Sequence, residues 1–173
     1  MTDGAPASSV YFQDELRYGT RTETARRWMP LGQRPTCPIR IGYKFGHLFT
    51  ALCPSTGDLF AMFLPNMTRE CFQIFAQQFS QYTGKATTLV LDKASCHRYA
   101  KAQPDLKLLF LPTACPELNP VERFFKELRR ELKCRVFESI SQVEQRIEQS
   151  LNKYWKEPKL LIQTTAFPFL NTQ

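Results

Sequence analysis

The sequence has no cysteine pair at CxxC spacing and only two histidines, so the ligand clusters of a structural zinc site are missing. Its six cysteines, Cys37, Cys53, Cys71, Cys96, Cys115 and Cys134, stand singly. No apolar signal segment opens the chain, which points to reduced thiols and a cytoplasmic setting. No stretch approaches the ~20 apolar residues that span a bilayer, so no membrane partner is expected. Internal repeats and low-complexity segments are also lacking, which excludes repeat arrays and compositionally biased tails.

What is present is the material of one globular domain. The 173 residues are 43% hydrophobic and 13% aromatic. A chain of this length buries roughly 70% of its unfolded surface. The first eight residues, "MTDGAPAS", read as a flexible N-terminus. Lys and Arg number 23 against 16 Asp and Glu, and the net charge of +7 favours a polyanionic partner such as nucleic acid.

Residues 9–14, "SVYFQD", predict a strand, with Val10, Phe12 and Asp14 on one face because side chains alternate. An acid therefore stands in line with an apolar face. Residues 15–38 read as a basic loop carrying Arg17, Arg21, Arg26, Arg27 and Arg34 around Trp28. "RIGYKFGHLFTAL" and "DLFAMFLP" predict two strands joined by the turn "PSTGD". Phe72, Phe75 and Phe79 recur at helical spacing. "TTLVLD" and "LKLLFLP" are continuous apolar runs of the kind found in central strands covered on both faces, with a short helix between them. Helices follow at about 120–135 and 142–155, and residues 158–173 form an apolar tail that packs on the core or on a partner. The order predicts an α/β fold with a mixed five-stranded sheet, three antiparallel strands first and parallel additions after.

Three acids close three of these elements. Asp14 ends the first strand, with Glu15 beside it. Asp92 lies at the carboxyl end of a strand, where open α/β sheets place their ligands. Glu122 falls at the third position of a helix that Asn119 caps and Pro120 begins. Taken singly, each has a structural reading: Asp14 and Asp92 as strand-end acids near solvent, Glu122 as the distal member of a capping box. Taken together, three carboxylates at element ends suit a two-metal phosphoryl-transfer site. Mg²⁺ or Mn²⁺ prefers such hard oxygen ligands, and a pair of ions serves an in-line displacement. On the helix at about 120–135, Lys126, Arg129 and Lys133 trail Glu122 on one flank, opposite Glu127 and Glu131. That flank is either a track for a phosphate backbone or a solvated face with an ordinary Glu122–Lys126 pair.

The blocks "YFQDELRYG", "LVLDKASCH" and "LFLPTACPELNPVERFFKELRREL" together resemble the catalytic domain of DDE-type transposases, in the bacterial insertion-sequence branch of the mariner-like superfamily. "RRWMPLGQRP" is similar to that family's Trp-and-Gly segment. The match runs in order over about residues 9 to 155. It implies a ribonuclease H-like domain over 9–157, with Asp14, Asp92 and Glu122 holding two Mg²⁺ or Mn²⁺ ions and Glu15 and Glu117 at acidic positions that are not ligands. It further implies cleavage at transposon ends and transfer of the freed 3′-OH to target DNA. Arg17, Lys93, His97, Lys126, Arg129 and Lys133 are the expected DNA contacts, His97 alternatively being structural. The chain departs from the pattern in having Lys93 where the family has Asn, and in a shorter interval to Glu122 around "KAQPD".

The first predicted strand starts near residue 9, so the expected partner is a separate or frameshift-fused N-terminal helix-turn-helix part that reads element ends. A homodimer, and association with the nucleoid when DNA is bound, complete these expectations. The residues also leave room for a catalytically degenerate nucleic-acid-binding remnant, to which Lys93 points, or for another ribonuclease H-like nuclease.

Overall fold

The computed structural model describes residues 9–26, 28–97 and 103–166. Strands β1 (Ser9–Gly19), β2 (Phe45–Cys53) and β3 (Asp58–Leu64) form an antiparallel meander. Strands β4 (Thr87–Leu91) and β5 (Leu106–Phe110) add in parallel on the other side of β1. The order across the sheet is β3-β2-β1-β4-β5, which places β1 at its centre. The mixed five-stranded α/β sheet anticipated from the sequence is the one observed.

Side-chain alternation along β1 divides the core in two. Leu16 and Tyr18 face one way and join Leu48 and Leu52 of β2. This layer is covered by α2 (Pro120–Leu132) through Val121, Phe124, Phe125 and Leu128, and by α3 (Ile140–Lys156) through Val143, Ile147 and Leu151. Tyr11 faces the other way, and Phe49, Leu89 and Leu91 join it beneath α1 (Arg69–Thr83) and its Phe72, Phe75 and Phe79. Helix α1 starts where the Thr68 hydroxyl accepts the Cys71 N–H (3.3 Å) and stops at Gly84, which adopts φ 58°.

Several local expectations change in the folded chain. β1 runs on to Gly19, so the basic loop begins after it and not at residue 15. Residues 40–44, expected in a strand, stay outside β2 and exchange bridging hydrogen bonds with the end of β1, Thr20 N–H to Lys44 O (3.0 Å) among them. β5 is not a central strand: it pairs with β4 alone, and Leu109 is 52% exposed. An apolar run predicts burial only where a second layer exists to cover it. The short helix expected before β5 and the flexible N-terminus lie largely or wholly outside the described residues. Among the described residues, no helix is long and apolar enough to cross a membrane.

The first half of the apolar tail is an integral element. Pro158–Thr165 forms α4, whose Leu161 is fully buried in the layer shared with α2 and α3. Gly57, in the β2–β3 turn, adopts φ +73° and lies so close to Pro158 that an added Cβ would stand 2.3 Å from its carbonyl oxygen. Trp155 Nε1–H donates to Leu59 O on β3 (2.8 Å), tying α3 to the same hairpin. Leu161→Ala should therefore cost about 2–5 kcal/mol, as for other buried leucines. Urea denaturation checks this, since a tail merely lying on the surface would leave the midpoint unchanged.

Candidate active site

The parallel pairing of β1 with β4 brings the first two acids together. Phe12 is aligned with Val90. Two residues further along each chain stand Asp14 and Asp92, on the face that meets α2. Thr50, opposite Asp14 on β2, is fully buried, and its hydroxyl has no hydrogen-bond partner among the described residues.

Asn119 brings the third acid to them. Its side-chain oxygen caps α2 by accepting the Val121 N–H (3.2 Å). Its Nδ2 donates to Gln13 O on β1 (3.0 Å) and lies 3.4 Å from Asp14 Oδ2. One buried side chain thus starts the helix and fastens its N-terminus to the central strand, placing Glu122, in the first turn, on the same cleft as Asp14. The reciprocal half of a capping box is not made: the Asn119 N–H donates to Pro116 O (2.9 Å), and the Glu122 carboxylate sits 3.6 Å from Arg129 Nη1. Glu122 lines the cleft instead of closing a capping box.

Asp14, Asp92 and Glu122 line a cleft of about 370 Å³, together with Lys93, Asn119 and the loop from Leu111 to Pro116. Within that loop Ala114 takes a left-handed backbone, φ 59°. Burial pushes the Asp14 carboxyl up, to about 7; the Glu15 N–H opposes this, and the charges of Glu15, Glu122 and Asp92 add to it. Asp92 is held below the usual carboxylate range, first by the His97 hydrogen bond, against its partial burial, with help from the Ala94 N–H. Carboxylates gathered on one cleft with charges that repel one another suit a hard divalent cation, which would relieve the repulsion.

Lys93 is exposed in this cleft, while the ion pair of Asp92 is made by His97 Nδ1 (2.9 Å). Among the described residues, no ion pair joins Lys93 to Asp92.

Other expected contacts are redistributed. His97 is 1% exposed and packed 4.4 Å from the Phe72 ring centroid, beneath the surface on which a DNA contact was expected. Burial alone would lower its pKa, but hydrogen bonds to Asp92 and Glu15 outweigh this and hold it at about 9. Arg17 projects from the opposite face of β1 to Asp14, its guanidinium 4.0 Å over the Phe45 ring. Lys126 is exposed on α2, and the partner of Glu122 is Arg129 rather than Lys126. Lys133 leaves the helical flank, because α2 ends at Leu132 and Lys133 is its extended C-cap. On the opposite flank, Glu131 pairs with Arg146 and with Lys153 (3.1 Å) of α3.

The sequence reading missed the network beneath the sheet. Glu15 points to the α1 side, where Gln13 Nε2 donates to it (2.8 Å) and His97 Nε2 lies 2.9 Å away. With Cys96 it forms the one three-donor group among the described residues whose ligand atoms lie within 4.8 Å of one another. Its donors are already engaged: both His97 nitrogens face carboxylates, and burial raises the Cys96 thiol to about 11. The signal available in the sequence was parity, since an acid directly after Asp14 must face the opposite layer and needs a partner there.

Comparisons with known proteins agree with this architecture. The chain is similar to an uncharacterised protein, y4pE/y4sA, of Sinorhizobium fredii (strain NBRC 101917 / NGR234), at 34% identity over 89 residues, covering 49% of this chain and 66% of that one. It is similar to the Mos1 strand transfer complex at TM-score 0.66 and 14% identity, covering 91% of this chain and 50% of that one. The Mos1 mariner paired-end complex with Mn follows at TM-score 0.65 and 15% identity, covering 91% and 53%. The chain thus spans about half the length of the Mos1 chains it matches. These likenesses establish a ribonuclease H-like fold. Residues 9–144 match the DDE superfamily endonuclease family, and the chain belongs to it.

Proposed function

We propose that this chain is the metal-dependent catalytic domain of a DNA transposase of the mariner-like type, cutting phosphodiester bonds at transposon ends and joining the freed 3′-OH to target DNA. The observation that carries the reading is the convergence of Asp14, Asp92 and Glu122 on one cleft, from a central strand, a strand end and a pinned helix N-terminus. The matched Mos1 structures are described as strand-transfer and paired-end complexes, one with a left transposon end and others with Mn or Mg.

Asp14, Asp92 and Glu122 would hold two Mg²⁺ or Mn²⁺ ions. Bound there, the ions supply charge stabilisation for the attacking and leaving oxygens of an in-line displacement. The protein's own part is positional. The Glu15 N–H holds Asp14 Oδ1 (2.8 Å) and Asn119 Nδ2 lies 3.4 Å from its Oδ2, while the Ala94 N–H and His97 hold Asp92 Oδ1 and leave Asp92 Oδ2 for the cleft. Lys93 lies at the cleft wall to neutralise a backbone phosphate, and Lys126 and Arg129 extend that positive surface along α2. Arg17 is a DNA contact away from the cleft. Reading of element ends belongs to an N-terminal helix-turn-helix part, separate or fused by frameshift, and the active species is a homodimer on nucleoid DNA in the cytoplasm.

Asp92→Asn should lower Mg²⁺- or Mn²⁺-dependent nicking of end-containing DNA by about a hundredfold or more, the rate equivalent of several kcal/mol. Circular dichroism should show the fold retained. Parental nicking by this variant removes Asp92 from the site.

The metal must displace a proton from Asp14 below its raised pKa of about 7 and meets an ionised carboxylate above it. Divalent-ion affinity should therefore fall as pH drops through that value, approaching about tenfold per unit, and level off at higher pH. Calorimetric titration at several pH values checks the sign; affinity rising toward acid would contradict it.

Lys93 separates this reading from a non-catalytic nucleic-acid-binding remnant. If Lys93 binds phosphate, Lys93→Asn should leave nicking metal-dependent and reduce the slope of log affinity against log salt by about 1. If instead the parent is inert and Lys93→Asn alone nicks, the remnant reading is correct.

A further inference from the structure

Beneath the proposed metal site, three buried side chains form a row that ends on Asp92. Gln13 Nε2 donates to Glu15 Oε1 (2.8 Å), which also faces His97 Nε2 (2.9 Å). On its other side, His97 Nδ1 lies 2.9 Å from Asp92 Oδ1 and 3.2 Å from the Asp92 carbonyl oxygen. Gln13 and His97 are each 1% exposed, and the Glu15 side chain 3%. Phe72 of α1, fully buried, closes the row from below. Only Asp92 reaches the surface, with 57% of its side chain exposed.

The geometry has two consequences. His97 Nδ1 faces the Asp92 carbonyl oxygen, which only accepts, so Nδ1 donates, and turning the ring would lose its contacts with both Asp92 and Glu15. The Ala94 N–H also donates to Asp92 Oδ1 (2.9 Å), so both anchoring bonds fall on one carboxylate oxygen and leave Oδ2 for the cleft. Glu15 links the two acids. Its backbone N–H holds Asp14 Oδ1 (2.8 Å), and its side chain holds the ring that holds Asp92. Asp92 lies one residue past the end of β4, outside the backbone ladder.

We propose that His97, backed by Glu15, is a positioning residue for the metal centre: it locks the Asp92 carboxylate in the orientation that turns Oδ2 toward Asp14 and the cleft. Groups that orient metal ligands from behind act in this way, and their removal costs about 10–100-fold in metal affinity. The proposal rests on the metal-centre reading above and names a residue of that site that touches neither DNA nor metal.

Two substitutions separate positioning from simple core filling. The amide nitrogen of Asn stands where Nδ1 stands, and that of Gln where Nε2 stands. His97→Asn therefore keeps the donor to Asp92, and His97→Gln keeps only the bond to Glu15. With Mn²⁺ as the probe, calorimetric titration of the folded proteins should show His97→Gln weakened by about 10–100-fold and His97→Asn within about threefold of the parent. In the metal-free protein, the Asp92 carboxylate carbon resonance should move in His97→Gln and stay near its parental position in His97→Asn. Core filling predicts the reverse order or no difference, because Gln replaces more of the ring's volume. Parental Mn²⁺ affinity in a folded His97→Gln, or an unmoved Asp92 resonance, overturns the proposal. A parent that binds no Mn²⁺ overturns the metal-centre reading instead, and the metal-free carbon spectrum then decides the His97–Asp92 contact on its own.

Discussion

The parallel register of β1 against β4 is the constraint from which the site follows. Aligning Phe12 with Val90 carries Asp14 to the level of Asp92, and alternation turns both toward α2. A slip of one residue would send Asp14 into the phenylalanine layer beneath α1 and bring Glu15 to the cleft side. The register is held by what alternates with the acids. Leu16 and Tyr18 on one face, and Tyr11 on the other, are buried in separate core layers that such a slip would exchange.

Around that register the structure handles negative charge in three ways. Asp14 is partly withdrawn from solvent, and its ordinary acidity is lost. Asp92 is exposed and kept ionised by a ring anchored below the sheet. Glu122 stands at the N-terminus of α2, where the helix dipole favours a carboxylate, with Arg129 two turns along. Three acids near one another are therefore tolerated by three different environments. The arrangement is held in place by Asn119 and His97, two buried side chains that each bond to more than one element.

The same division explains which cations serve the cleft. Arg146 and Lys153 of α3 are engaged with Glu131, on the flank of α2 away from Glu122. Lys93 remains exposed in the cleft, and Lys126 is exposed on the flank of α2 that carries Glu122, where the proposed phosphate backbone would lie. Lys93 departs from the family pattern at the residue after Asp92, yet the ion pair of Asp92 is with His97, so the lysine adds a positive charge without neutralising the acid.

By itself the sequence determined the kinds of element and their order, because helix and strand periodicities are local. The spacing of Phe72, Phe75 and Phe79, the Asn119-Pro120 start of α2 and the strand-end position of Asp92 survive in the structure, whereas Asp14, expected to end its strand, lies in the middle of β1. The three acids could be named for the same reason, since each lies in or beside an element readable from its own neighbours. Only the tertiary structure decided who lies next to whom. It buried His97, joined Glu15 to it across 82 residues of chain, left β5 half uncovered and drew Leu161 into the core. Burial depends on which distant segment covers a residue, and hydrogen-bond partners beneath a sheet depend on strand order. Neither is a property of the local run of residues.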